Sequence, residues 1–119
     1  MSNYQNIIGY KLAQAAMTNS YATVYTVPAD TVSPLQSTRT FIKDITIVNT
    51  TASPIGIYVH LVPAGGSANT ANALFYNNSL PGYTTVQWCG IQILDAEDFI
   101  SVKGSANGCA ITVSGGQGT

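Results

Sequence analysis

Ile55-Gly56-Ile57-Tyr58-Val59-His60-Leu61-Val62 is the stretch that decides the fold class. In an extended chain Ile55, Ile57, Val59 and Leu61 fall on one face, with Tyr58, His60 and Val62 on the other. Successive side chains of a strand point to opposite sides, so this alternation reads as a strand with one face in a core. Turn chemistry bounds it on both sides. Asn49-Thr50-Thr51-Ala52-Ser53-Pro54 precedes it, and Pro63-Ala64-Gly65-Gly66-Ser67-Ala68-Asn69-Thr70 follows as the longest loop, flexible by composition.

The same period of two extends outward. Upstream, Phe41, Lys43, Ile45 and Ile47 alternate with Ile42, Asp44, Thr46 and Val48. Both registers are partly apolar, which predicts a strand covered on one face throughout, with a bulge near Lys43-Asp44. Ala22-Thr23-Val24-Tyr25-Thr26-Val27 is a short strand stopped by Pro28; Lys11-Leu12-Ala13-Gln14-Ala15-Ala16-Met17 reads as a helical turn by propensity alone and suits an opening strand equally well by its alternation. Downstream come Ala73-Leu74-Phe75-Tyr76, then Thr84-Thr85-Val86-Gln87-Trp88-Cys89 and Ile91-Gln92-Ile93-Leu94 on either side of a bend at Gly90. Asp95-Ala96-Glu97-Asp98 is a tight polar connection into Phe99-Ile100-Ser101-Val102-Lys103, and Ala110-Ile111-Thr112-Val113-Ser114 closes the series. No apolar stripe of helical period competes.

About eight strands with frequent turn signals predict an all-β, antiparallel β-sandwich. One long connection and mixed strand lengths favour a jelly roll over an immunoglobulin arrangement. Trp88 lies next to Cys89, so the Cys–Trp–Cys spacing of antibody domains is absent. The expected organisation is an extended N-terminal arm over residues 1–10, a sandwich over 11–114, and a flexible Gly-rich tail over 115–119.

Composition narrows the function. Charged residues are 8% of this 119-residue chain, against roughly 25% in an ordinary soluble domain. Hydrophobic residues are 45%, enough for a core, and Tyr occurs 7 times. Hydroxyls, amides and small apolar groups cost less to desolvate than ions, so such a surface suits packing against other protein. Lys11, Arg39, Lys43 and Lys103 are the cations, too few to track a phosphate backbone, and no nucleic-acid partner is expected. No apolar run approaches the roughly 20 residues of a membrane helix, so no membrane partner is expected either. The first residues lack a cationic and then apolar leader, which implies a protein that is not secreted. In that compartment Cys89 and Cys109 are expected as two buried free thiols.

Chemistry-bearing residues are sparse. His60 is the single histidine, so any Ser-His or Cys-His pair would depend on it. Mid-strand, without a nucleophile elbow, it reads as a partly covered, hydrogen-bonded residue or one at a subunit contact. Asp95, Glu97 and Asp98 read as a solvated turn, because a calcium loop needs more oxygen ligands at fixed spacing. Gly65-Gly66-Ser67 and Gly104-Ser105-Ala106-Asn107-Gly108 lack the lysine and helix of a phosphate cradle. Trp88, Tyr76 and Tyr83 have the rings to stack on a sugar, though core packing for Trp88 and interface packing for the tyrosines are the stronger readings. No catalytic, metal-binding or cofactor-binding residue is assigned, and the chain is not expected to be an enzyme.

The ordered phrases Lys11-Leu12-Ala13-Gln14, Ala22-Thr23-Val24-Tyr25-Thr26-Val27-Pro28-Ala29, Lys43 through Ser53, Leu61-Val62-Pro63-Ala64-Gly65-Gly66-Ser67-Ala68, Asn72-Ala73-Leu74, Leu80-Pro81, Trp88 and Val113-Ser114 cover nearly the whole chain. Together they resemble small virion structural proteins of tailed phages, of the head-decoration or tail-accessory kind. The resemblance implies a β-sandwich, a place in the virion and a homo-oligomer, a trimer by preference and a dimer as the second option. The leading expectation is therefore a capsid decoration (cement) protein whose partners are the major capsid protein and itself. Tyr4, Ile7, Ile8 and Tyr10, set among polar residues, are its expected partner-binding residues, in an arm able to order on a partner. The alternative is a tail or fibre module binding host-surface glycan. Against it, the chain has no heptads or fibrous repeat for attachment.

Overall fold

A computed structural model describes residues 8–29 and 39–118. Eight strands form: β1 (Ile8–Met17), β2 (Ala22–Thr26), β3 (Arg39–Asn49), β4 (Ile55–Val62), β5 (Ala73–Leu80), β6 (Thr85–Leu94), β7 (Phe99–Gly104) and β8 (Cys109–Gly118). They make two four-stranded sheets, ordered β1-β8-β3-β6 and β2-β7-β4-β5. Every neighbouring pair is antiparallel. β1 pairs β8, β2 pairs β7, β3 pairs β6 and β4 pairs β5. That is one long ribbon, β1 to β4 running against β8 to β5, rolled so that alternate pairs fall in opposite sheets. The result is a jelly-roll sandwich.

The core lies between the sheets. Ile45 and Ile47 of β3, Ile57 and Val59 of β4, Ile100 and Val102 of β7, and Ile111 and Val113 of β8 are all sealed from solvent. Each such side chain contributes roughly 1.5–3 kcal/mol by leaving water. The bulge expected near Lys43 is present: the register of β3 shifts between Ile42 and Asp44 against both β6 and β8. It explains the two apolar registers, because the extra residue lets Ile42 and Ile45, an odd number apart, both face inward. Asn49, fully buried, pins the turn before β4. Its Nδ2 donates to the carbonyls of Ser53 (2.7 Å) and Leu80 (3.0 Å), and its Oδ1 accepts from the Thr51 amide at 2.9 Å.

Two boundaries differ from expectation. Residues 115–118 are not a flexible tail but the end of β8, and Ile8, Gly9 and Tyr10 are not a free arm but the start of β1. Each closes on the other, with Ile8 opposite Gln117, Gly9 opposite Gly116 and Tyr10 opposite Gly115. Of the expected partner-binding residues, Ile8 and Tyr10 thus sit in a sheet, with Tyr10 exposed on it, while Tyr4 and Ile7 lie outside the described residues.

Candidate functional site

The outer face of the β2-β7-β4-β5 sheet carries the densest side-chain chemistry among the described residues. It starts with the loop after β4, which is built rather than slack. The Gly66 amide donates to the Pro63 carbonyl at 2.9 Å, closing a turn in which Gly65 takes φ 77°. The Ser67 carbonyl accepts from Nδ2 of Asn69 (3.1 Å) and of Asn72 (3.0 Å). Asn69 and Asn72 cap the short 3-10 turn Thr70–Asn72 reciprocally: Asn69 Oδ1 accepts from the Ala71 amide at 2.8 Å, and Asn72 Oδ1 from the Asn69 amide at 3.1 Å.

This loop folds over the outward side of β4. His60 and Val62, expected on the open face, are completely buried there. For His60 this corrects the expectation of a partly covered residue. Its Nδ1 faces the Asn69 carbonyl (3.0 Å) and Asn72 Oδ1 (2.9 Å), both acceptors, so Nδ1 carries the proton. Nε2 is then the acceptor for the Tyr21 hydroxyl at 3.1 Å. The imidazole joins the loop, β4 and the entry to β2 in one hydrogen-bonded unit.

Around it stands a ring of aromatics. Tyr21 and His60 pack edge to face at 5.3 Å, as do Tyr58 and Tyr76, also at 5.3 Å; Tyr21 and Tyr58 are 6.3 Å apart. Tyr58 and Lys103 are direct cross-strand partners on β4 and β7. The Lys103 ammonium lies 4.6 Å from the Tyr58 ring centre and 4.9 Å from that of Tyr21. Burial, then the neighbouring Tyr76 and Tyr58, raises the Tyr21 hydroxyl above its ordinary pKa, so it stays a donor.

A second surface runs along the β5/β6 side, where the sandwich opens. One cleft of about 320 Å³ lies among Ile57, Phe75, Leu80, Pro81 and Val86, and another of about 380 Å³ among Leu61, Ala71, Leu74 and Gln92. Neither β5 nor β6 holds a charged residue. Ile91 and Ile93 of β6 are 62% and 59% exposed.

The other residues singled out in the sequence are scattered. Trp88 is half-buried against the core, and Tyr83 stands exposed in the β5–β6 turn, where its amide donates to the Thr51 carbonyl, outside the packed rings. Cys109 is buried but Cys89 is exposed, which corrects the expectation of two buried thiols; both are free. Cys89 falls on the outward phase of β6, with Gln87 and Ile91. The acidic turn is structural: Asp98 accepts from the amides of Ala64 and Asp95, each at 2.9 Å, and Asp95 pairs with Arg39 at 3.0 Å. No three His, Cys, Asp or Glu side chains converge as a metal site would require among the described residues.

No protein-family model matches the chain, and no curated protein sequence is measurably similar to it. Its fold does have solved counterparts. A chain in the structure of infectious bursal disease virus, Gx strain, superposes with a TM-score of 0.53 at 12% identity, over 93% of this chain and 31% of that one. Particles with T=1 geometry derived from infectious bursal virus give 0.48 at 11% identity, over 93% and 30%. A protein of Bacillus endospore appendages, disulfide-linked pili, gives 0.46 at 17% identity, over 95% and 88%. The chain spans about a third of the length of the two viral chains. Of the three, the Gx-strain likeness is close enough to bear on architecture, and at 12% identity it bears on architecture alone.

Proposed function

We propose that this chain is a non-enzymatic structural protein of a virus particle, and specifically a capsid decoration or cement protein of the tailed-phage type. The observation that carries this reading is a jelly roll, shared with a chain of a virus structure, in a chain of which charged residues are only 8%. The uncharged β5/β6 side can be covered by protein without desolvating a charge. His60, on which a nucleophile–base pair would depend, has both ring nitrogens engaged in bonds that hold the loop and Tyr21.

In this reading the partners are the major capsid protein and further copies of the chain, a trimer by preference or a dimer, and the location is the virion. Residues 1–7, with Tyr4 and Ile7, serve as the arm; Ile8 and Tyr10 anchor it through β1. Several weak contacts linked in one oligomer raise the effective concentration of each other, which gives tight attachment from small areas. Apolar and amide contacts are little screened by salt.

The test mixes purified protein with capsids that lack it, at low and at about molar salt, and sediments them. Co-sedimentation at both, weakened by removing residues 1–7, is the expected result. Release by salt alone, or full binding without residues 1–7, counts against the mechanism. Absence of the protein from virions by immunogold labelling overturns the reading. Analytical ultracentrifugation reads the oligomer, and a concentration-independent monomer overturns that part.

A further inference from the structure

We propose that the outer face of the β2-β7-β4-β5 sheet is a binding site for a carboxylate-bearing sugar, with Lys103 pairing the acid and the Tyr21, Tyr58 and Tyr76 rings carrying the pyranose. The site goes beyond the virion reading and does not depend on it.

Lys103 is the first reason. Its side chain is half-buried, and its ammonium rests over two tyrosine rings with no carboxylate partner among the described residues. Asp44 is in the other sheet on β3, and Asp95, Glu97 and Asp98 are in the turn at the far end of β7. A partly desolvated cation faced only by ring quadrupoles keeps most of its capacity for an anion.

The second reason is shape. Tyr21 is 43% and Tyr76 55% exposed; Tyr21, in the β1–β2 turn, adjoins the lysine, and Tyr76, on β5, packs against Tyr58 on the side of β4 away from it. The edge-to-face packing of Tyr58 against both fixes the rings at angles of 71° and 85° to it. The C–H faces of a pyranose match such ring surfaces, and tyrosine hydroxyls match its hydroxyls. Tyr58 and Lys103 stand on the two central strands, β4 and β7, whose backbone is already paired on both sides, while Tyr21 and Tyr76 come from elements at the two edges of the sheet.

The third reason is rigidity. His60 is wholly buried beneath the cluster, and its bonds fix Tyr21 and the covering loop before any ligand arrives. Preorganisation of this kind lowers the ordering cost of binding.

The experiment titrates the isotope-labelled full chain with sialyllactose and with oligogalacturonate, against lactose and the methyl-esterified oligogalacturonate, following amide shifts. Shifts confined to Tyr21, Tyr58, Tyr76 and Lys103, with the acids bound about tenfold or more tighter than their neutral counterparts, are expected. Lys103→Met should remove that preference while keeping the apolar stem, Tyr76→Ala should abolish binding, and Tyr83→Ala should change nothing. No shifts at millimolar acid sugar, equal affinity for neutral sugar, unchanged binding by Lys103→Met, or the same shifts with acetate alone would each overturn the proposal. Unaltered circular dichroism of each variant separates lost binding from lost fold, and capsid sedimentation tests the virion reading independently.

Discussion

The Tyr21 hydroxyl donates to Nε2 of His60 at 3.1 Å, across the width of β7, which separates β2 from β4 in the sheet. The bond ties the start of β2 to a histidine that also holds the loop after β4. His60→Ala removes three hydrogen-bond relationships and opens a cavity under that loop. It is expected to cost about 2–4 kcal/mol in urea unfolding and to make the 63–72 loop sensitive to protease. Tyr21→Phe removes one bond and should cost about 1 kcal/mol.

Gly115 faces the β3 bulge from β8, paired with Ile42 on one side and Tyr10 on the other. A Cβ at this position would overlap the carbonyl of Phe41. Gly115→Ala should therefore force the bulge apart and cost about 1–3 kcal/mol, read as a lower urea midpoint with unchanged slope. Gly118, with open space around its Cα, is the control: Gly118→Ala should be close to neutral.

These two sites also show what a linear reading misses. Ile55, Ile57 and Val59 announced β4, and the odd spacing of Ile42 and Ile45 announced the bulge, because strand period and core burial are local patterns. The glycines at the end of β8 have the composition of a tail. They belong to a strand because β1 and the β3 bulge crowd them, a contact between chain ends that no local window contains. His60 is buried by Asn69 and Asn72, whose cap forms only when the loop turns back over β4. The tyrosine–lysine cluster was illegible for the same reason: Tyr21, Tyr58, Tyr76 and Lys103 come from four elements that meet only through sheet order. The direct pairing of Tyr58 with Lys103 was the one signal available, and it required the β4–β7 register.

Asp44 should set part of the acid limb of stability. Its carboxylate accepts from Gln87 Nε2, from Thr46 Oγ1 at 2.9 Å and from the Cys89 thiol at 3.5 Å. The Gln87 bond first, then that of Thr46, holds its pKa below the ordinary carboxylate value. A folded pKa lower than the unfolded one stabilises the fold above the unfolded value, and that contribution is lost as pH falls through the folded value. Stability measured against pH should decline on entering this range from above, and Asp44→Ala should flatten that part of the curve. A carboxyl titration by NMR placing Asp44 at or above the ordinary value would contradict this.

Cys89 and Cys109 should differ in kind as well as in rate. Both are free, so neither needs reductant to react. Burial raises the Cys109 thiol and also shields it, and labelling there should wait for unfolding. Cys89 is exposed, yet its pKa is raised, first by desolvation, then by its hydrogen bond to Asp44 and that residue's negative charge. The thiolate is the reactive form, so Cys89 in the native protein should label slowly at neutral pH and faster as pH rises. Asp44→Ala removes the nearby negative charge and the acceptor that stabilises the protonated thiol. Native Cys89 should then label faster at neutral pH, with its rate profile displaced toward lower pH. Cys109 in the same variant should stay unreactive until denaturant is added. Rapid labelling of both thiols in the native wild-type chain would refute the burial difference. An unchanged Cys89 profile in Asp44→Ala would refute the coupling.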